Sequence, residues 1–157
     1  MHTPEIQDYI KLRGSLRIHV CDLQGNLVEE RKIENTVVTS GRRWILQQLE
    51  STDIQTAQTI SHLAVGTNTT APATGDTTLG TENTRKAIGT FSTANLTSNP
   101  PSWQSQTSFN TNEANTTLGE VGLFNSSSAG TMIARATFAT LNKTTSNTLS
   151  ISYTISN

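Results

Sequence analysis

Reactive chemistry in this chain would have to come from His2, His19 and His62, from Cys21, or from the carboxylates outside obvious turns and charge runs, Glu82, Glu113 and Glu120. No two histidines stand at i, i+3 or i+4, the helical spacing that brings two imidazoles onto one metal, and no acidic cluster has the pattern of a calcium loop. A single cysteine can form neither an intramolecular disulfide nor a cysteine zinc site. The chain has no Gly-x-Ser-x-Gly elbow, Walker loop or dinucleotide fingerprint, so its many serines carry no nucleophile signature. A glycosidase needs two carboxyl groups facing across a sugar, and the spacing of the three glutamates pairs none of them. Glu120, between Gly119 and Val121-Gly122, reads as a carboxylate accepting backbone N–H bonds at a tight turn. His62, beside Leu63 and Val65, reads as a hydrogen-bonded structural histidine. The expectation is a non-enzymatic protein with no catalytic residue, no metal and no cofactor.

The elements that would position these side chains are mostly strands. Leu16, Ile18 and Val20 alternate with Arg17, His19 and Cys21, the period of a half-buried strand. Asp22-Leu-Gln-Gly-Asn26 supplies turn chemistry, and Leu27 to Ile33 can return as the second strand of a hairpin. One helix is expected near residues 42–50, after possible caps at Thr39 and Ser40, with Trp44, Ile45 and Leu49 on its apolar side and Leu46 alongside. Trp44 reads as a core anchor. Ile60 to Val65 reads as a buried strand that stops at Gly66 and opens into a long loop of threonine, alanine and glycine, with Leu79 tucked back against the body. A loop of that length without structure of its own points to a partner surface. Further strands are expected at Lys86 to Phe91, at Trp103, Ser105, Thr107 and Phe109, at Gly119 to Phe124, at Thr131 to Phe138, and at Leu149, Ile151, Tyr153 and Ile155. Seven or eight short strands and one helix fit a mainly β fold, a two-sheet antiparallel β-sandwich of jelly-roll or Greek-key type.

Composition narrows the function classes. The 157 residues are one domain's worth, with a hydrophobic fraction of 33% and a charged fraction of 15%, both below globular averages. Thr, Ser and Asn make up more than a third of the chain, which suits half-buried strands and polar loops. The net charge of -1 argues against nucleic acid, which requires a concentrated basic face. Arg13, Arg17, Arg31, Lys32, Arg42 and Arg43 make the first third more basic, but Glu29, Glu30 and Glu34 sit among them, the pattern of a solvated face. Met1-His-Thr-Pro-Glu-Ile lacks a signal's basic end and apolar run, and no segment approaches a membrane span. Production as a soluble cytoplasmic chain is therefore expected. Residues 1–14 read as a polar arm anchored by Ile6, Tyr9, Ile10 and Leu12, and residues 15–157 as a single domain.

Taken in order, Leu16-Arg-Ile-His-Val, Asp22-Leu-Gln-Gly-Asn-Leu-Val-Glu, Asn35-Thr-Val-Val-Thr-Ser-Gly, Ala64-Val-Gly-Thr-Asn-Thr-Thr-Ala-Pro, Glu120-Val-Gly-Leu-Phe and Leu149-Ser-Ile-Ser-Tyr-Thr-Ile span most of the chain. This succession resembles that of tailed-bacteriophage virion structural proteins. The resemblance implies a capsid decoration (cement) protein or a tail or fibre component, assembled into the virion in the bacterial cytoplasm. It implies the major capsid protein or other virion proteins as partners. A compact domain with an arm and hydroxyl-rich loops favours the head shell and a homotrimer. Tyr9, Ile10, Arg13 and Arg17 are the candidate interface residues, because an exposed arm with few anchors has little else to bury them against. A carbohydrate-binding β-sandwich in a tail or baseplate is the alternative. It would use Trp103 as an exposed stacking platform.

Overall fold

Period-two alternation governs most of the observed elements. The computed structural model describes residues 12–50, 59–92, 97 and 100–156. Strand β1 (Arg13–Asp22) buries Leu16, Ile18 and Val20 and turns Arg17 and His19 outward. Its hairpin to β2 (Leu27–Val37) is built by Asp22, whose carboxylate accepts the amides of Gln24 and Asn26 at 2.9 and 2.8 Å. Gly25 takes the left-handed φ of 84° that this turn needs. The strand starts at Arg13, so the expected arm boundary at residue 14 falls inside β1.

Helix α1 (Thr39–Glu50) begins before the expected Arg42, because the Val38 carbonyl already accepts the Arg42 amide at 3.0 Å. Ser40, expected as a cap, instead donates its hydroxyl to the Met132 carbonyl at 2.9 Å. The helix lies close to the sheet at Gly41, where a Cβ would stand 2.1 Å from the Ile133 carbonyl oxygen. Trp44 and Ile45 pack into the core, whereas Leu46, expected beside them, is 62% exposed.

The remaining strands are β3 (His62–Gly66), β4 (Glu82–Ala87), β5 (Thr90–Ser92), β6 (Ser102–Phe109), β7 (Thr117–Phe124), β8 (Met132–Asn142) and β9 (Asn147–Ser156). All pairings are antiparallel, in the order β4-β3-β7-β8-β2-β1-β9-β6-β5. Among the described residues, nine strands form instead of seven or eight because the expected Lys86 to Phe91 strand breaks at Ile88-Gly89. There the chain leaves β4 at one edge of the sheet and enters β5 at the other, with the Ile88 amide bonded to Ser61 and the Gly89 amide to Gln106.

Pairing is continuous from edge to edge, and the sheet curls into a half-barrel. The ladder between β2 and β8 is short, pairing Thr36 with Arg135 and Val37 with Ala134. Farther along, Arg31 spans the opening between them, donating to the carbonyls of Ala139 and Thr140. One apolar core draws on both wings: Leu16, Ile18, Phe109, Leu149, Ile151 and Tyr153 from one, Leu63, Val65, Val121, Leu123 and Ile133 from the other. Trp103 packs half-buried against this core and against Phe91, their ring centroids 5.9 Å apart.

Two core-facing hydroxyls of β6, those of Ser105 and Thr107, are buried without a hydrogen-bond partner. Burying such a group costs about 1–3 kcal/mol. Thr107→Val keeps the shape and removes the hydroxyl, so it is expected to stabilise the fold by about 1 kcal/mol in urea denaturation; a loss of similar size would mean that the hydroxyl is satisfied.

Candidate functional site

Two surfaces emerge from this architecture, and both are set by how the strands alternate. On the β3-β7-β8 wing, the face away from the main core carries Ala64, Glu120, Gly122, Phe124, Met132 and Arg135. Residues 67–81, the long threonine-rich loop, lie over this face. Leu79 is buried there with Val38, Ala64, Phe124 and Met132, as its expected inward tuck requires. Gly122 provides the space, since a Cβ there would come within 2.9 Å of Leu79.

Beneath the loop lies an ion pair between Glu120 and Arg135, two charges in otherwise uncharged strands. Glu120 Oε2 accepts from Arg135 Nη2 at 2.8 Å and Nε at 3.0 Å, and from the Gly80 amide at 2.9 Å. Its Oε1 accepts the amides of Thr81 at 2.7 Å and Asn68 at 3.3 Å. The expectation that Glu120 accepts backbone N–H bonds holds. Its location differs, because Glu120 is mid-strand opposite Thr137 and the amides come from a distant loop rather than a local turn.

Arg135 continues outward into the loop. It donates to Asp76 Oδ2 at 2.7 Å, to the Thr70 carbonyl at 3.3 Å and to Asn68 Oδ1 at 3.4 Å. Burial acts to lower the guanidinium's pKa, but its bonds to Asp76 and Glu120 outweigh that and leave it above the ordinary value. The Ala73 amide, helped by Arg135 and opposed by burial, holds the Asp76 carboxyl below its ordinary value. The Thr74 carbonyl accepts the Thr39 amide at 2.7 Å, tying the loop to the start of α1. What remains outward is a fixed hydroxyl-bearing plate that includes Thr69, Thr70, Thr74, Thr77 and Thr78, all exposed.

The second surface is the outer face of the other wing. Ser152 and Thr154 of β9 form a floor of short side chains, with Gln104 and Gln106 of β6 on one side, Ser15, Arg17 and His19 of β1 on the other, and Lys32 and Glu34 of β2 beyond. The resulting open trough is about 400 Å³. Arg17 Nε sits 3.2 Å from Glu30, which also approaches His19 Nε2 at 3.4 Å.

Of the expected interface residues, Arg13 and Arg17 share this outer face of β1, both exposed, and are separated by about 13 Å of strand. Tyr9 and Ile10 lie outside the described residues. The other carboxylates weighed for chemistry are each engaged. Glu82 forms a two-point pair with Arg85, and Glu113 binds Lys86 Nζ and the Asn110 amide. The Lys86 ammonium, followed by the Asn110 amide, holds the Glu113 carboxyl below its ordinary value. His62 Nδ1 lies 2.8 Å from Ser61 Oγ, and burial, then Arg85, pushes its imidazole down. Among the described residues, no group of three His, Cys, Asp or Glu side chains could hold a metal ion. None of their helices is long and apolar enough to cross a membrane.

Sequence reasoning had not singled out Arg135 or Lys143. The buried Lys143 Nζ donates to the carbonyls of Asn110 and Thr144 and to Asn115 Oδ1, each at 3.0 Å. Burial lowers its pKa, with nearby Glu113 opposing. The available signal for Arg135 was a lone cation flanked by Met132-Ile-Ala and Ala136, where a strand periodicity puts it on one face with nothing to neutralise it locally. No protein-family model, curated protein or solved structure matches the chain.

Arg135→Met leaves the Glu120 carboxylate buried without its counter-ion, and the expected loss is about 3–5 kcal/mol of stability. Hydrogen exchange should accelerate first at the Gly80 and Thr81 amides; unchanged exchange there would remove Glu120–Arg135 as the loop's anchor. The pH response has a defined sign. Because the folded Asp76 carboxyl titrates below the ordinary 3.8, its contribution is complete above that value and is lost as pH falls through the lower, folded pKa. NMR of the Ala73 amide should report release of the loop's centre in that acid window, and Asp76→Asn should abolish this transition.

Proposed function

We propose that this protein is a non-enzymatic virion structural protein of a tailed bacteriophage, a capsid decoration (cement) protein that binds the head shell. The observation that carries the reading is the plate formed by residues 67–81. A long loop held from beneath by a buried ion pair loses little conformational freedom when a partner covers it, and a shell offers many equivalent sites at which modest contacts add up. The order of the sequence segments supports the same role. Major capsid protein is the proposed partner and a homotrimer the proposed state, with Arg13 and Arg17 flanking the arm that carries Tyr9 and Ile10.

We also read the curled sheet as a two-layer antiparallel sandwich of jelly-roll or Greek-key kind. Support comes from the main core, which both wings fill, and from the short ladder of two residue pairs between β2 and β8. A tail fibre, baseplate or adaptor position is the alternative. The version of it that relies on Trp103 as an exposed sugar platform has little support, since that ring packs against the core under Phe91.

Purified particles decide between head and tail: cryo-electron microscopy with quantitative mass spectrometry is expected to find many copies in register with the shell, and a few copies at the tail would reject the decoration role. Deletion of residues 1–11, which spares β1, is expected to leave the thermal unfolding of the domain unchanged and abolish shell binding. Normal binding by that variant would remove the arm from the interface.

A further inference from the structure

The trough on the outer face of β1, β9 and β6 is separate from the loop plate, and its chemistry points to a different ligand. Its floor and walls follow directly from register. Ser152 of β9 lies between Arg17 and Gln106, and Thr154 between Ser15 and Gln104. Neighbouring strands lie about 4.8 Å apart, so Arg17 and Gln106 stand about 10 Å apart across Ser152, while at Thr154 the wall on the β1 side is the short Ser15. The gap at Ser152 is the width of a single extended polymer chain.

Charge in the channel is balanced. Arg17 is paired with Glu30, and Lys32 and Glu34 both line the same recess. A polyanion such as nucleic acid would meet carboxylates as often as cations, and counter-ion release would supply little affinity. A peptide strand is also poorly served, because β9 is hydrogen-bonded to β1 on one side and β6 on the other and offers no free ladder. The lining includes no Phe, Tyr or Trp ring, and of its two apolar members, Leu16 and Ile33, the first is buried. What it presents is a mixture of hydroxyls, amides and a few charged groups, able to donate and accept along its whole length. The two amides are already tethered, Gln106 Nε2 to Ser150 Oγ at 2.8 Å and Gln104 Nε2 to Thr154 Oγ1 at 3.5 Å, so less side-chain freedom remains to be lost on binding.

We propose that this trough binds an extended, hydroxyl-rich glycan chain of low net charge, laid along β9. Without a stacking ring each site is weak, and an array of copies multiplies the attachment. The proposal does not rest on a head or tail position and is tested separately from it.

The test is a glycan array probed with the full-length protein, multimerised through a biotin tag on streptavidin, with heparin, single-stranded DNA and immobilised peptides as further surfaces. Binding to neutral glycans is expected. Ser152→Tyr, which fills the channel from an outward-facing position, should reduce it at least tenfold, as should Gln106→Ala, whose exposed site makes misfolding no explanation. Thr77→Tyr, on the loop plate, should leave it unchanged. The proposal fails if no neutral glycan is bound, if only heparin, DNA or peptide is bound, or if binding persists in both trough variants.

Discussion

The buried carboxylate of Glu120 is the constraint on which one side of the molecule depends. An ionised group removed from water must be met by opposite charge and by hydrogen-bond donors. Arg135 alone does not fill its acceptor sites, and the remaining ones are met by backbone amides that only the loop can bring. Residues 67–81 are therefore held over the strand by the need to complete a charged site as well as by Leu79. The guanidinium, in turn, reaches past Glu120 to Asp76 and the Thr70 carbonyl, so both ends of the loop and its middle are fixed from one point. Such pairs add little net stability compared with an apolar replacement, but they tolerate few alternative arrangements. That suits a segment rich in threonine and glycine, which has almost no apolar side chain with which to define its own conformation.

Other cations repeat this pattern elsewhere. Arg85 lies over the Phe124 ring, 3.6 Å from its centroid, and donates to the carbonyls of Ser126 and Ala129, securing the turn between β7 and β8. Lys143 ties residues 110–116 to the turn between β8 and β9. Arg31 spans the opening where β2 and β8 diverge. A hydrophobic fraction of 33% fills the space between the two wings, leaving little to anchor the connections. Long side chains that reach backbone carbonyls do that instead, and several of the chain's few cations are consumed in the process.

The two wings are consequently unlike one another. The β3-β7-β8 wing is covered on both faces, which explains why β7 reads as a nearly uninterrupted buried run rather than an alternating one. The other wing keeps a strict alternation and leaves its outer face open, lined by serine, threonine and glutamine. One side of the molecule thus offers a rigid loop surface and the other a channel, and the proposed shell contact and glycan site can be occupied together.

Alternation by itself determined β1, β6 and β9, because a half-buried strand has to place apolar residues at every second position; Leu149 to Ile155 and Trp103 to Phe109 both face the core as their period requires. The turn at Asp22 to Asn26, the core role of Trp44 and the inward position of Leu79 were legible for similar local reasons. Only the tertiary structure decided that the run through Ile88 belongs to two opposite edges of the sheet, since a two-residue crossing leaves no local signature. It alone also brought Glu120 to Arg135, and both to the loop, because a charge in a buried strand announces that a partner must exist without saying which distant residue meets it. The trough was hidden for the same reason: each strand showed its own polar face, and their register determined that Ser152 would lie between Arg17 and Gln106.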